Sequence, residues 1–169
     1  VLLSVGNSDS GNEMFTRVMV GIDGSLTAVA ALTEAIQLAT AEKAAIRAVS
    51  VVERVPDIVG PGPGFVDSSA LAQSLRDIAQ AALERAHNLF ILTGLVGETA
   101  LVNAGESDVA SVLLRESQTW GAELMVLGTH ARHGIERVLL GSTAESFLRM
   151  STIPVLLIPH PKHNEDRVP

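Results

Sequence analysis

Leu124-Met125-Val126-Leu127-Gly128-Thr129-His130-Ala131-Arg132-His133-Gly134-Ile135-Glu136-Arg137-Val138-Leu139-Leu140-Gly141-Ser142-Thr143 is the stretch from which the rest of the chain can be read. Its first four residues are apolar, branched or long, and uncharged, as expected of a short strand buried on both faces. Gly128 ends that strand. Beyond the loop, Gly141-Ser142-Thr143 leads into Ala144-Glu145-Ser146-Phe147-Leu148, and an acidic residue three positions after Ser142 is a helix-start signature. A strand, a small-residue loop and a helix start together make an anion cradle, because the first N–H groups of a helix lack internal partners and carry the positive end of its dipole. Arg132 supplies an always-charged donor, His130 and His133 further donors, and Ser142 and Thr143 hydroxyls. A plain strand-to-helix connection with solvated basic residues fits the same letters, and the stretch taken alone leaves both readings open.

Working outward, strand-like runs alternate with helical periodicity. The strands are expected at Arg17 to Ile22, Ala45 to Val52, Glu98 to Asn103, Leu124 to Gly128 and Val155 to Ile158. The helices are expected at Thr27 to Glu42, Ser68 to Leu92, Ser107 to Thr119 and Ser142 to Met150. In the second helix, Leu71, Leu75, Ile78, Ala82 and Phe90 mark an apolar stripe facing a core, while Arg76, Asp77, Glu84 and Arg85 lie off it. This alternation predicts an α/β fold: a single open five-stranded parallel sheet covered by helices on both faces through right-handed crossovers. Pro56 to Val66 is expected as the one long loop. Its Gly60-Pro61-Gly62-Pro63-Gly64 is no dinucleotide fingerprint, since alternate prolines replace the tight strand-to-helix turn that such a fingerprint needs.

A chain of 169 residues suits one domain, expected over residues 15–160 between a flexible extension (residues 1–14) and a flexible tail (residues 161–169). The absence of cysteine removes disulfides, thiolate nucleophiles and thiolate metal sites, and points to the cytoplasm as the expected compartment. A net charge of −7 argues against extended nucleic-acid or anionic-membrane surfaces, and 3% aromatic residues leave few platforms for stacking bases. No Gly-Lys-Ser or Gly-Lys-Thr occurs, which excludes a P-loop, and no Gly-x-Ser-x-Gly, which excludes a hydrolase elbow. His130 and His133, like His160 and His163, are spaced as metal ligands can be, but neither pair has a carboxylate partner at ligand spacing; no metal site is expected.

Open parallel sheets place ligands at the carboxyl ends of their strands where the chain order reverses. If the first strand lies beside the fourth, Gly21-Ile22-Asp23-Gly24-Ser25 meets the loop beginning at Gly128. Asp23 then either accepts hydrogen bonds from a ribose hydroxyl or an adenine amino group, or serves as ordinary turn and cap chemistry before a helix. Trp120, Val109, Val112 and Leu113 read as packing of the third helix.

The pattern Gly-x-x-Gly, nine residues, Gly-Ser/Thr marks the nucleotide-binding branch of the universal stress protein family, and the chain resembles that family from Phe15 to Pro159. Further likeness lies in Phe15-Thr16-Arg17-Val18-Met19-Val20-Gly21-Ile22-Asp23-Gly24-Ser25, in Gly105, in Gly121-Ala122-Glu123 before the fourth strand, and in the closing Thr152-Ile153-Pro154-Val155-Leu156-Leu157-Ile158. The resemblance implies strand order 3-2-1-4-5 and a homodimeric regulatory protein that binds ATP or another adenine nucleotide, with Mg2+ as a companion cation. It implies that Gly21, Ile22, Asp23 and Val51 border adenine and ribose, that Gly128, His130, Arg132, Gly141, Ser142 and Thr143 surround ribose and phosphates, and that Leu127 joins the binding set. Ala131 departs from the pattern, standing where the family has its second glycine. A Cβ there costs about 1–2 kcal/mol if the position requires a left-handed backbone. The second reading is therefore a dimeric interaction protein that has lost nucleotide binding.

In the implied order the last strand, Val155-Leu156-Leu157-Ile158, lies at a sheet edge. So apolar an edge calls for cover, and pairing with the same strand of a second copy provides it. No catalytic residue is expected, and efficient turnover is not, although slow ATP hydrolysis stays open.

Overall fold

A computed structural model describes residues 14–56, 68–129 and 141–159 of the chain. The elements run β1 (Arg17–Gly21), α1 (Leu26–Glu42), β2 (Ala45–Val52), α2 (Ser68–Thr93), β3 (Gly97–Asn103), α3 (Val109–Trp120), β4 (Leu124–Thr129), α4 (Ser142–Met150) and β5 (Val155–Pro159). The strands form one parallel sheet in the order β3-β2-β1-β4-β5. The sequence expectation is met in element type, number and order. Only boundaries move: β1 stops one residue early, and the third helix begins at Val109 rather than Ser107.

β1 and β4 occupy the centre, which is why their residues are apolar on both faces: Val18, Met19, Val20, Met125 and Val126 are fully buried. α1 and α2 cover one face, built on Val18, Val20, Ile46, Val126, the alanines of α1 and Phe90. α3 and α4 cover the other, built on Met19, Val49, Leu113, Met125, Leu127 and Phe147. The division follows from handedness. The first two crossovers move one way along the sheet, β3-α3-β4 jumps back across β1, and the last moves the opposite way, so right-handed connections put α3 and α4 on the opposite face.

The local chemistry agrees with this frame. Ser25 caps α1, its Oγ accepting the Ala28 N–H at 3.1 Å, and Asp108 caps α3 by accepting the Ser111 N–H at 3.0 Å. α1 ends on Lys43 at φ 53°, with the Ala44 N–H returning to the Ala39 carbonyl. α4 starts at Ser142, but its cap differs from the expected hydroxyl-acid box. Gly141 is the N-cap, no side chain bonds the first turn, and Glu145 pairs with Arg149 at 2.6 Å one turn further on.

The apolar stripe of α2 is the second correction. Ala79, Ala82, Leu83, Ala86 and Phe90 are buried, but Leu71, Leu75 and Ile78 are 42%, 40% and 49% exposed. The reason is length. A helix of 26 residues spans about 39 Å, whereas the eight residues of β2 span about 26 Å, so the start of α2 overhangs the carboxyl ends of the strands. Most of the expected long loop, residues 57–67, lies outside the described residues, as do residues 130–140, the terminal stretches 1–13 and 160–169, and the four histidines His130, His133, His160 and His163. Among the described residues no cluster of metal-ligating side chains occurs, and no helix is long and apolar enough to cross a membrane.

Candidate functional site

The overhang of α2, the end of β2, the turn after β1 and the start of α4 enclose a cleft of about 340 Å³ above the β1–β4 junction. This is the place where successive crossovers diverge, and the crevice exists because α1, the helix after β1, and α4, the helix after β4, lie on opposite faces of the sheet.

On one side stands β2. The Ile22 N–H bonds the Val49 carbonyl at 2.9 Å, and the last paired residues of β1 and β2 are Gly21 and Val49. Ala104 bonds the Val52 carbonyl from the opposite side. Alternate residues of a strand direct their backbone groups to the same side, so Val51 presents its N–H and C=O toward β1 at a level where β1 has already ended. A donor and an acceptor thus face the cleft from one residue, and such groups require partners.

Below it, Asp23-Gly24-Ser25 makes the turn into α1. Asp23 Oδ1 accepts the Ser25 N–H at 2.9 Å, which is the turn chemistry, while the residue also lines the cleft; both sequence readings hold in part. Gly24 has φ +82°, and a Cβ there would stand 2.9 Å from Ile78 Cγ2, so this turn needs glycine for its backbone and for its contact with α2.

Opposite lies the start of α4. Gly141, Ser142, Thr143 and Ala144 line the cleft, and among the described residues no side chain caps the first N–H groups of this turn, the groups by which a helix start can hold an anion. Val109 and Leu113 of α3 and Leu127 of β4 add apolar wall on the α3 face, while Leu75, Ile78 and Ala79 add it on the α2 face.

Of the residues expected from sequence, Gly21, Ile22, Asp23, Val51, Leu127, Gly128, Gly141, Ser142 and Thr143 all border this one cleft. His130 and Arg132, with Ala131 between them, lie outside the described residues. Val109 and Leu113, read from sequence as packing, do pack and also line the cleft. Leu75, Ile78 and Glu53 were not expected there. The signal for the first two was present in the excess length of the second helix over its strands; Glu53, after a strand end, carried none.

The donor set suits a mononucleotide: paired backbone groups for the edge of a base, a carboxylate for hydroxyl or amino donors, and a helix start for phosphate. The volume is at the lower end of the roughly 300–1,000 Å³ typical of small-ligand pockets.

Fold and cleft together define a doubly wound α/β protein with a cleft at its switch point. The chain belongs to the universal stress protein family, whose model matches residues 14–159. It is 33% identical to a family member of known structure from Burkholderia pseudomallei, covering 88% of this chain and 98% of that one with a TM-score of 0.68. A universal stress protein of Methanocaldococcus jannaschii is 28% identical over 90% of this chain and 87% of its own length. A family protein from Arabidopsis thaliana, solved with AMP bound, shares the fold at a TM-score of 0.61 with 18% identity, covering 91% of this chain and 95% of that one.

Proposed function

We propose that the protein is an adenine-nucleotide-binding regulator, ATP with Mg2+ being the physiological form, that acts as a cytoplasmic homodimer in stress response without efficient turnover. The observation that carries this reading is that Val51, whose backbone lies beyond the last β1–β2 pair, and the start of α4, which no described side chain caps, border one cleft. The Val51 N–H matches the N1 acceptor of adenine and its C=O the 6-amino donor. Asp23 accepts from ribose, and the first turn of α4 receives phosphate. The AMP bound to the Arabidopsis relative supports the ligand class.

Dimerisation through β5 fits its place at the sheet edge, where Leu156 is 37% exposed. Leu156→Asp then yields a monomer in light scattering after size exclusion; an unchanged dimer sinks this part.

Ala131, standing at a glycine position of the family pattern, favours the second reading, an interaction protein without nucleotide. Calorimetry with ATP, ADP and AMP, with and without Mg2+, on the native chain and on Ala131→Gly separates the two. Saturable binding by the native chain supports the switch. Binding only by the glycine variant shows a cradle disabled at one position, and no binding by either overturns the nucleotide reading.

A further inference from the structure

We propose that Leu75 and Ile78 of α2 are specificity-determining residues which form the base-covering wall of the cleft and make it discriminate for ligands that carry a base. The inference rests on the adenine-nucleotide reading, and it comes from the overhang of α2.

Leu71, Leu75, Ile78 and Ala82 continue the stripe that, further along α2, is buried on β2 and β3. Over the last part of that stripe the sheet is present. At Leu75 and Ile78 the strands have ended, and what lies beside these side chains is the cleft they line. Ile78 stands close to Gly24, the residue after Asp23, where a Cβ would come within 2.9 Å of its Cγ2.

A base whose edge pairs with Val51 lies in the plane of the sheet, as a continuation of β1. Its two faces then point where the helices are. One face meets Val109 and Leu113 of α3, of which Leu113 is 3% exposed and already packed. The other meets Leu75 and Ile78, which are 40% and 49% exposed. The α2 wall is therefore where ligand binding removes new apolar surface from water, and that gain depends on the ligand having a base.

The test is calorimetry with AMP and with ribose 5-phosphate on the native chain, Ile78→Ala, Leu75→Ala and Ile78→Met, with Leu92→Ala as control. Leu92 is 80% exposed, lies at the far end of α2 and does not line the cleft. Losing the apolar contact of Ile78 weakens AMP about tenfold, while the methionine variant, which restores volume, stays within about threefold of native. Ribose 5-phosphate behaves identically with native chain and variants, Leu92→Ala binds AMP as the native chain does, and melting temperatures change little because both side chains are half exposed. AMP binding unchanged in both alanine variants overturns the inference, as does an equal loss for ribose 5-phosphate. Failure of both the native chain and Ala131→Gly to bind ATP, ADP or AMP defeats the nucleotide reading itself and this wall with it.

Discussion

A Cβ on Gly128 would stand 2.7 Å from both the carbonyl carbon and the carbonyl oxygen of Thr27, so the end of β4 and the first turn of α1 meet backbone against backbone. Glycine is required at this position by the fold, before any ligand arrives. Gly128→Ala destabilises the ligand-free protein by about 2 kcal/mol, because neither backbone segment is free to yield. Chemical denaturation without nucleotide measures it. A variant as stable as the native chain would mean that the glycine serves ligand approach alone.

Asp23 has two partners to satisfy, the Ser25 N–H in the turn and the proposed ribose in the cleft. Asp23→Ala weakens AMP about tenfold, the worth of a hydrogen bond to a charged acceptor, and Asp23→Asn, which keeps an acceptor oxygen, weakens it less. Equal affinities across the three proteins would remove Asp23 from the site.

Arg47 crosses the face of β2 to Glu116 on α3 at 3.1 Å, both side chains being more than four-fifths buried. Its Nε has no partner among the described residues, where Glu116 is the carboxylate that compensates the charge. Glu116→Ala costs about 2 kcal/mol, more than an exposed pair would, since the guanidinium stays behind in a partly dry site. The double change with Arg47→Met recovers much of the loss in urea titrations. Additive losses would show that the pair does not act as a unit.

Asp108 is held below its ordinary pKa first by the Ser111 hydroxyl and then by the Ser111 amide at the start of α3. A depressed carboxylate contributes stability that is complete above the unfolded value, near 4, and is lost as pH falls through the folded one. Asp108→Asn keeps a capping side chain but cannot titrate. Melting temperature followed from pH 5 down to pH 2 therefore falls less steeply in the variant; parallel curves would refute this role.

Much of the architecture was legible because it is written in local terms. Central strands such as Val18-Met19-Val20 and Leu124-Met125-Val126-Leu127 announce burial on both faces by composition, and Ser25 marks a helix start by a side chain that can accept a nearby amide, whereas the third helix was expected from Ser107 and the cap proved to be Asp108. The start of α4 was located correctly and its cap was not. Ser142 offered a hydroxyl of the right kind, yet Gly141 adopts the cap backbone and Glu145 turns to Arg149, a competition between two neighbours that sequence does not rank.

By itself, the sequence determined the type and succession of the elements, because periodicity acts through short stretches of chain; which helices cover which face follows only once the strand order is joined to right-handed crossovers. It also named most of the residues that border one cleft, through the motif glycines and hydroxyl residues that carry the family resemblance. The tertiary structure alone decided that Val51 lies beyond the end of β1 at the edge of a cleft, that Gly128 is pressed against Thr27, and that Leu75 and Ile78 face a cleft in place of a sheet. Each of these depends on where one element ends relative to another: β1 stops before β2 does, and α2 outruns both its strands. Such offsets are set by packing between segments far apart in sequence, and no residue carries them locally.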